Sequence, residues 1–167
     1  GTYAHGIIEQ FCAVVEGDAK TPEEKLEKWR TLPDNPGEGK SRDEIIDELI
    51  DKTIENIGAD NIYMLQHIKS IFHRTGKVIK KAAKTVHSSL KYGKYTIAAE
   101  ECELKYNIND EVSVQGRIDR IDELNKESGK KIRIIDYKTG NTKFDIVHIY
   151  NGIDMQLVIY ALMAKGY

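Results

Sequence analysis

Cysteine, proline and tryptophan are scarce in this chain: two, three and one among 167 residues. Cys12 and Cys102 lie far apart and in no metal-ligand spacing. That excludes a disulfide framework or a zinc module and leaves two ordinary half-buried thiols. Nothing points to an oxidising compartment, so the cytoplasm is the expected location. No apolar run approaches the ~18 residues a membrane span needs, and no signal peptide is visible. No repeat or low-complexity tract occurs. The chain opens on Gly rather than Met, which reads as a piece of a longer protein.

Acid is missing from one long stretch. Residues 61–99 contain no Asp or Glu, yet hold Lys69, Arg74, Lys77, Lys80, Lys81, Lys84, Lys91 and Lys94. The segment before it is acidic, with Glu23, Glu24, Asp43, Glu44, Asp47 and Glu48. The net charge of −2 hides this asymmetry. Two readings stand: a solvated helix face pairing with the acidic segment, or a surface that tracks a phosphate backbone, with Lys77, Lys80, Lys81 and Lys84 at its centre. Tyr92 and Tyr95 would then be stacking residues.

What is present suits one globular domain, at 40% hydrophobic and 31% charged residues. Ala4, Ile8, Phe11, Cys12 and Val15 recur at helical spacing and predict a helix over 2–16. The polar stretch 18–41 holds all three prolines and predicts loop around a short helix at 22–30. Its "TPEE" start offers Thr21 as N-cap, Pro22 at the first position and Glu24 to close a capping box. Ser41 with Glu44 opens the next helix, with Ile45, Ile46, Leu49, Ile50 and Ile54 as its stripe. A longer helix follows from about Asn61 to about Leu90, which Gly76 interrupts or tolerates. From residue 95 the period changes. "YTIAAEECELKYNI", "VSVQGRIDRID" and "IRIIDYK" read as strands, with turns at "NDE" and "NKESGKK". "TGNTKFD" reads as a loop and "GIDMQLVIYALMAKG" as a closing helix. The expected class is α+β: a mixed β-sheet flanked by helices, with a helical part over 1–94 and the sheet and closing helix over 95–167.

Asp119, Asp136 and Lys138 sit within or at the ends of apolar strands, where unpaired charge is costly. A hairpin around Gly129 brings these strand ends together only if the strands are staggered or bent. If they meet, two carboxylates beside a lysine suit a hard divalent cation and a phosphodiester, with the lysine as an orienting or stabilising charge. Glu101 could add a third carboxylate, with Glu100 and Glu103 as rivals. Asp122 and Glu123, in the same acidic run, read as the strand's solvated end. The alternative for the whole group is a surface hairpin ending in a salt-bridged "DYK".

The pattern "GRIDRID…IIDYKTG…MQLVIYALMA" resembles the PD-(D/E)XK nuclease superfamily. More narrowly, it is similar to the RecB-type nuclease domain at the C-terminal end of AddB (RexB). Gly116-Arg117-Ile118-Asp119 matches the family's Gly-x-Ile-Asp strand, and Asp136-Tyr137-Lys138 its Asp-Tyr-Lys strand end. Gln156 and Tyr160 match its Gln-x-x-x-Tyr helix, and Gly1 and His5 its upstream Gly-x-x-x-His. The resemblance implies a restriction-endonuclease-like core with a helical insertion before the sheet. It implies Asp119 and Asp136 as ligands of Mg²⁺ or Mn²⁺, His5 as a further ligand and Lys138 beside the attacking water. Gln156 and Tyr160 would touch the DNA or brace the site. It also implies single-stranded DNA delivered by an AddA-like helicase–nuclease subunit in double-strand-break repair. The family's 4Fe-4S cluster takes one cysteine before the nuclease domain and three after it. Cys12 and Cys102 match none of them, which fits a truncated piece. Two rivals remain: an inactive nuclease-like DNA-binding or scaffold module, and a CRISPR-associated or restriction nuclease.

Overall fold

The computed structural model describes residues 2–37, 39–58, 62–127, 129–138 and 145–166. Gly1 of the Gly-x-x-x-His pattern and most of the "TGNTKFD" loop lie outside these. The chain divides into two compact units, residues 1–94 and 95–167.

The first unit is helical: α1 (Thr2–Glu16), α2 (Pro22–Thr31), α3 (Arg42–Gly58) and α4 (Ile62–Lys91). The expected signals operate. Glu24 accepts from the backbone N–H of Thr21 while Thr21 Oγ1 accepts from that of Glu24, at 3.1 and 3.2 Å. At the start of α3, Glu44 accepts from the Ser41 N–H at 2.8 Å and from its hydroxyl at 2.7 Å. Backbone N–H donors hold both glutamates below their ordinary pKa, Lys20 and then Thr21 for Glu24, and Ser41 for Glu44. Helix α4 runs through Gly76 without a break. A β-carbon there would stand 3.5 Å from Ile50 Cδ1 on α3, so close helix packing offsets the weak propensity. Ile7, Ile8, Phe11, Trp29, Ile46, Ile79 and Leu90 are buried. Phe11 meets the Trp29 ring edge-on at 5.6 Å.

The second unit is a meander, β1 (Thr96–Asn107), β2 (Ser113–Lys126) and β3 (Gly129–Ile135), with α6 (Gln156–Met163) packed on all three strands. All described pairings are antiparallel, so a parallel partner, which a mixed sheet needs, is not among the described residues. Asn109 Oδ1 accepts from the N–H groups of Glu111 and Val112 and closes the first turn. The second turn is tighter than "NKESGKK" predicted. β2 continues to Lys126 and pairs it with Gly129, whose φ of +114° needs glycine.

A short helix not expected from the sequence, α5 (Ile146–Tyr150), precedes α6 and is capped by Asp145 Oδ1 on the Val147 N–H. The closing helix starts at Gln156 rather than Gly152, because Gly152 and Asp154 both take left-handed backbone conformations. No described helix is long and apolar enough to cross a membrane.

Candidate active site

Register builds the site. β2 and β3 pair without a shift from Lys126↔Gly129 to Arg120↔Ile135. The next step sets Asp119 opposite Asp136, just past the ladder. No stagger or bend is needed, contrary to expectation. Counting back from the Gly129 turn would have given this rung from the sequence. On the other side of β2, Glu100↔Arg120 and Cys102↔Ile118 bracket Glu101 against Asp119. Glu101 and Asp119 offer carboxylate oxygens within 4.8 Å of one another. This favours Glu101 over Glu100 and Glu103, which stand opposite Arg120 and Arg117 in the register rather than beside Asp119.

The same register, carried one step past the printed pairs, lines up Glu101, Asp119 and Asp136 across the sheet. Like charges directly opposite one another destabilise a sheet. Glu101 also has a φ of +48°, a conformation that costs a non-glycine residue about 1–3 kcal/mol. Arg117 offsets the Glu101 charge and Lys138 that of Asp136, which leaves the backbone strain at Glu101 as the unusual feature of this position. Its carboxylate oxygens are hard donors of the kind Mg²⁺ or Mn²⁺ takes.

The neighbouring groups fix these carboxylates. The Tyr137 backbone N–H donates to Asp119 Oδ2 at 2.6 Å. Lys138, on the same face as Asp136, reaches Asp136 Oδ2 at 2.8 Å. Its hydrogen bond to Asp136 holds its pKa above the ordinary lysine value, with the charges of Asp136 and Asp119 acting in the same direction. The ammonium is therefore charged at neutral pH. Lys138 also donates to Gln156 Oε1 at 2.8 Å, while Gln156 Nε2 donates to Asp136 Oδ1 at 3.0 Å. Tyr160 accepts from Gln156 at 2.9 Å and donates to the Arg117 carbonyl at 2.7 Å. Gln156 and Tyr160 thus tie α6 to both site strands. Arg117 pairs with Glu101 at 2.6 Å.

His5 is half-buried on α1, in the first unit. On α4, Lys77, Lys81 and Lys84 are exposed, but Lys80 is paired to Asp47 of α3 at 2.7 Å. Lys77 and Lys80, with Lys69 and His73, line a cleft of about 550 Å³ whose other wall carries Asp47 and Asp51. Tyr95 is covered by the Arg133 guanidinium at 4.7 Å from its ring centroid, while Tyr92 is largely exposed. Cys12 is buried and Cys102 half-buried.

Asp122 overturns its reading as a solvated strand end. It is fully buried, paired with Arg120 and bonded by Arg133. Alternation hid this: Asp122 shares its face with Gly116 and Ile118, the side that packs on α6. Glu123, by contrast, is partly exposed and pairs with Lys130 at 3.2 Å.

Known proteins resemble this chain along nearly its whole length. An ATP-dependent helicase/deoxyribonuclease subunit of Clostridium acetobutylicum is 29% identical over 171 residues, covering 96% of this chain and 14% of its own length. The corresponding protein of Clostridium perfringens strain SM101 is 28% identical over 173 residues, with the same coverage. That of Ruminiclostridium cellulolyticum is 26% identical over 171 residues. The chain therefore spans about 14% of the length of these curated relatives. The family model of the PD-(D/E)XK nuclease superfamily matches residues 1–166. With nearly every residue inside that match, the chain belongs to the PD-(D/E)XK nuclease superfamily.

Proposed function

We propose that the rung Glu101–Asp119–Asp136 with Lys138 is the hydrolytic site of a divalent-metal-dependent deoxyribonuclease. The observation that carries this reading is that Glu101 and Asp119 bring carboxylate oxygens within 4.8 Å of one another, while Asp136, just past the end of β3, holds the charged Lys138 at 2.8 Å. Asp119 and Asp136 hold Mg²⁺ or Mn²⁺, and Glu101 adds a third oxygen donor. His5 is the further ligand that the family pattern implies. A bound metal acidifies a water and offsets charge on the scissile phosphate. Lys138 orients that water and stabilises the developing negative charge. Gln156 keeps Lys138 and Asp136 in mutual register. Tyr160 fixes the Arg117 carbonyl, two residues from Asp119.

The relatives' name joins a helicase to a deoxyribonuclease. The proposed substrate is accordingly single-stranded DNA, digested as an exonuclease while a helicase–nuclease partner of the AddA kind delivers it during double-strand-break repair in the cytoplasm. A 4Fe-4S cluster in such a protein would draw on cysteines other than Cys12 and Cys102.

End-labelled single-stranded DNA tests the proposal with Mg²⁺ or EDTA, using the parent protein beside Asp136→Ala and Lys138→Ala. Cleavage is expected only from the parent with Mg²⁺, with losses of at least about a hundredfold in either variant. Cleavage surviving EDTA or either substitution overturns the mechanism. An inert parent favours a nuclease-like module that only binds DNA.

A further inference from the structure

A buried charged cluster lies outside the chemistry proposed for the rung. Arg120 and Asp122 are 1% and 0% exposed, and Arg133 joins them from β3. Arg120 Nε stands 2.8 Å from Asp122 Oδ1, an ion pair at a poor hydrogen-bond angle. Arg120 Nη2 donates to Asp122 Oδ2 at 3.2 Å, and Arg133 donates to the same oxygen at 2.5 and 3.1 Å. Burying two charges, with a half-buried third beside them, is a poor way to gain stability. Well-packed apolar residues of similar volume often do as well or better. Such clusters are better explained by geometry they fix.

The geometry in question is one bond away. Arg120 Nη1 donates to the Tyr137 hydroxyl at 2.8 Å. Tyr137 stands between Asp136 and Lys138, and β3 ends at Ile135. At residues 136–138 the β2–β3 ladder no longer holds the chain, yet both flanking side chains must keep their places. Tyr137 is held from two sides instead. Its ring points to the α6 side and is gripped by Arg120, while its backbone N–H grips Asp119.

We infer that Asp122, Arg120 and Tyr137 form a buried strut that positions the Asp119–Asp136 rung for its metal. Arg120 and Tyr137 are thus positioning residues rather than catalytic ones. Asp122 neutralises Arg120 and fixes its rotamer. Arg120 fixes the Tyr137 ring. Tyr137 fixes the Asp119 carboxylate through its peptide N–H and sets the directions of Asp136 and Lys138. This inference rests on the metal-site reading.

Tyr137→Phe removes one hydroxyl and keeps ring, backbone and fold. The test reads Mn²⁺ affinity by titration calorimetry, thermal midpoint, and kcat and KM on single-stranded DNA, for the parent, Tyr137→Phe and Asp122→Asn. The strut predicts a Mn²⁺ affinity about tenfold weaker in Tyr137→Phe, with KM for DNA unchanged, kcat reduced at fixed metal, and activity recovered at higher Mn²⁺. A lower thermal midpoint with unchanged Mn²⁺ affinity would make the hydroxyl merely structural and overturn the strut alone. A parent that binds no Mn²⁺ overturns the metal-site reading and the strut with it. Asp122→Asn, where it folds, is expected to weaken Mn²⁺ binding at least as much. If it does not fold, the Tyr137→Phe result decides.

Discussion

A methyl group at Gly116 would stand 3.1 Å from Tyr160 Cε1 and 3.3 Å from Met163 Cε. Met163 can give way, but Tyr160 cannot turn aside without losing its bonds to Gln156 and the Arg117 carbonyl. The glycine opening "GRID" is therefore a clearance for α6. Gly116→Val should destabilise the protein by about 1–3 kcal/mol, read as a lower urea midpoint. It should also reduce nuclease activity more than a remote substitution of equal cost, because the helix it displaces carries Gln156 and Tyr160. Each residue of "GRIDRID" now has its own task. Ile118 and Ile121 are buried core, Asp119 belongs to the proposed metal site and Arg117 pairs with Glu101. Arg120 and Asp122 form the buried cluster. The spelling exposes the alternation but not which charged face is buried, since Asp119 and Asp122 are the same residue type in the same apolar run. The neighbour that decides, α6, comes more than thirty residues later.

Among the elements, the packing of α4 on α2 and α3 contains the clearest titrating group. His87, buried on α4, donates from Nε2 to the Trp29 carbonyl at 3.0 Å, which leaves Nδ1 to accept from Arg42 at 3.4 Å. Asp34 and Lys91 also face it, and Lys91 pairs with Asp34 at 3.0 Å. Burial lowers the His87 pKa below its ordinary 6.5, against the opposing pulls of the Trp29 carbonyl and Asp34. The unfolded chain therefore takes up this proton more readily than the folded one. The stability contributed is complete above the ordinary imidazole pKa and is lost as pH falls through the lower folded value. The thermal midpoint should drop as pH falls below the ordinary imidazole value of 6.5, and His87→Gln should flatten that slope. A slope unchanged in His87→Gln would assign it to other groups. The helices themselves were legible because capping boxes and apolar stripes are local signals, and Thr21, Ser41 and Ile46 act as their spacing predicts. α5 was not legible: its five residues are too few to show a period, and none of them is buried. The rung was half legible. The residue types were visible, but bringing them together required the register set by the Gly129 turn.

Across the whole chain, charge is sorted more sharply than fold. The acid-free stretch 61–99 is mostly α4, and the structure divides its lysines. Lys80 is committed to Asp47, and Lys91 to Asp34. Lys77, Lys81 and Lys84 stay exposed. Pairing with the acidic segment thus accounts for Lys80 and Lys91, and the proposed contact with a phosphate backbone falls to the exposed Lys77, Lys81 and Lys84. A single-strand contact contributes about 0.7 to the slope of log affinity against log salt. If the exposed lysines track DNA, replacing Lys77, Lys81 and Lys84 by alanine should shallow that slope by up to about 2 in fluorescence anisotropy with labelled single-stranded DNA in Ca²⁺. Lys80→Ala should change it far less, because binding would first have to break the pair with Asp47. A triple variant whose slope matches the parent's would make α4 a solvated face. DNA would then be recognised by the sheet unit, where Arg117 and Lys105 line a cleft of about 490 Å³ between β1 and β2.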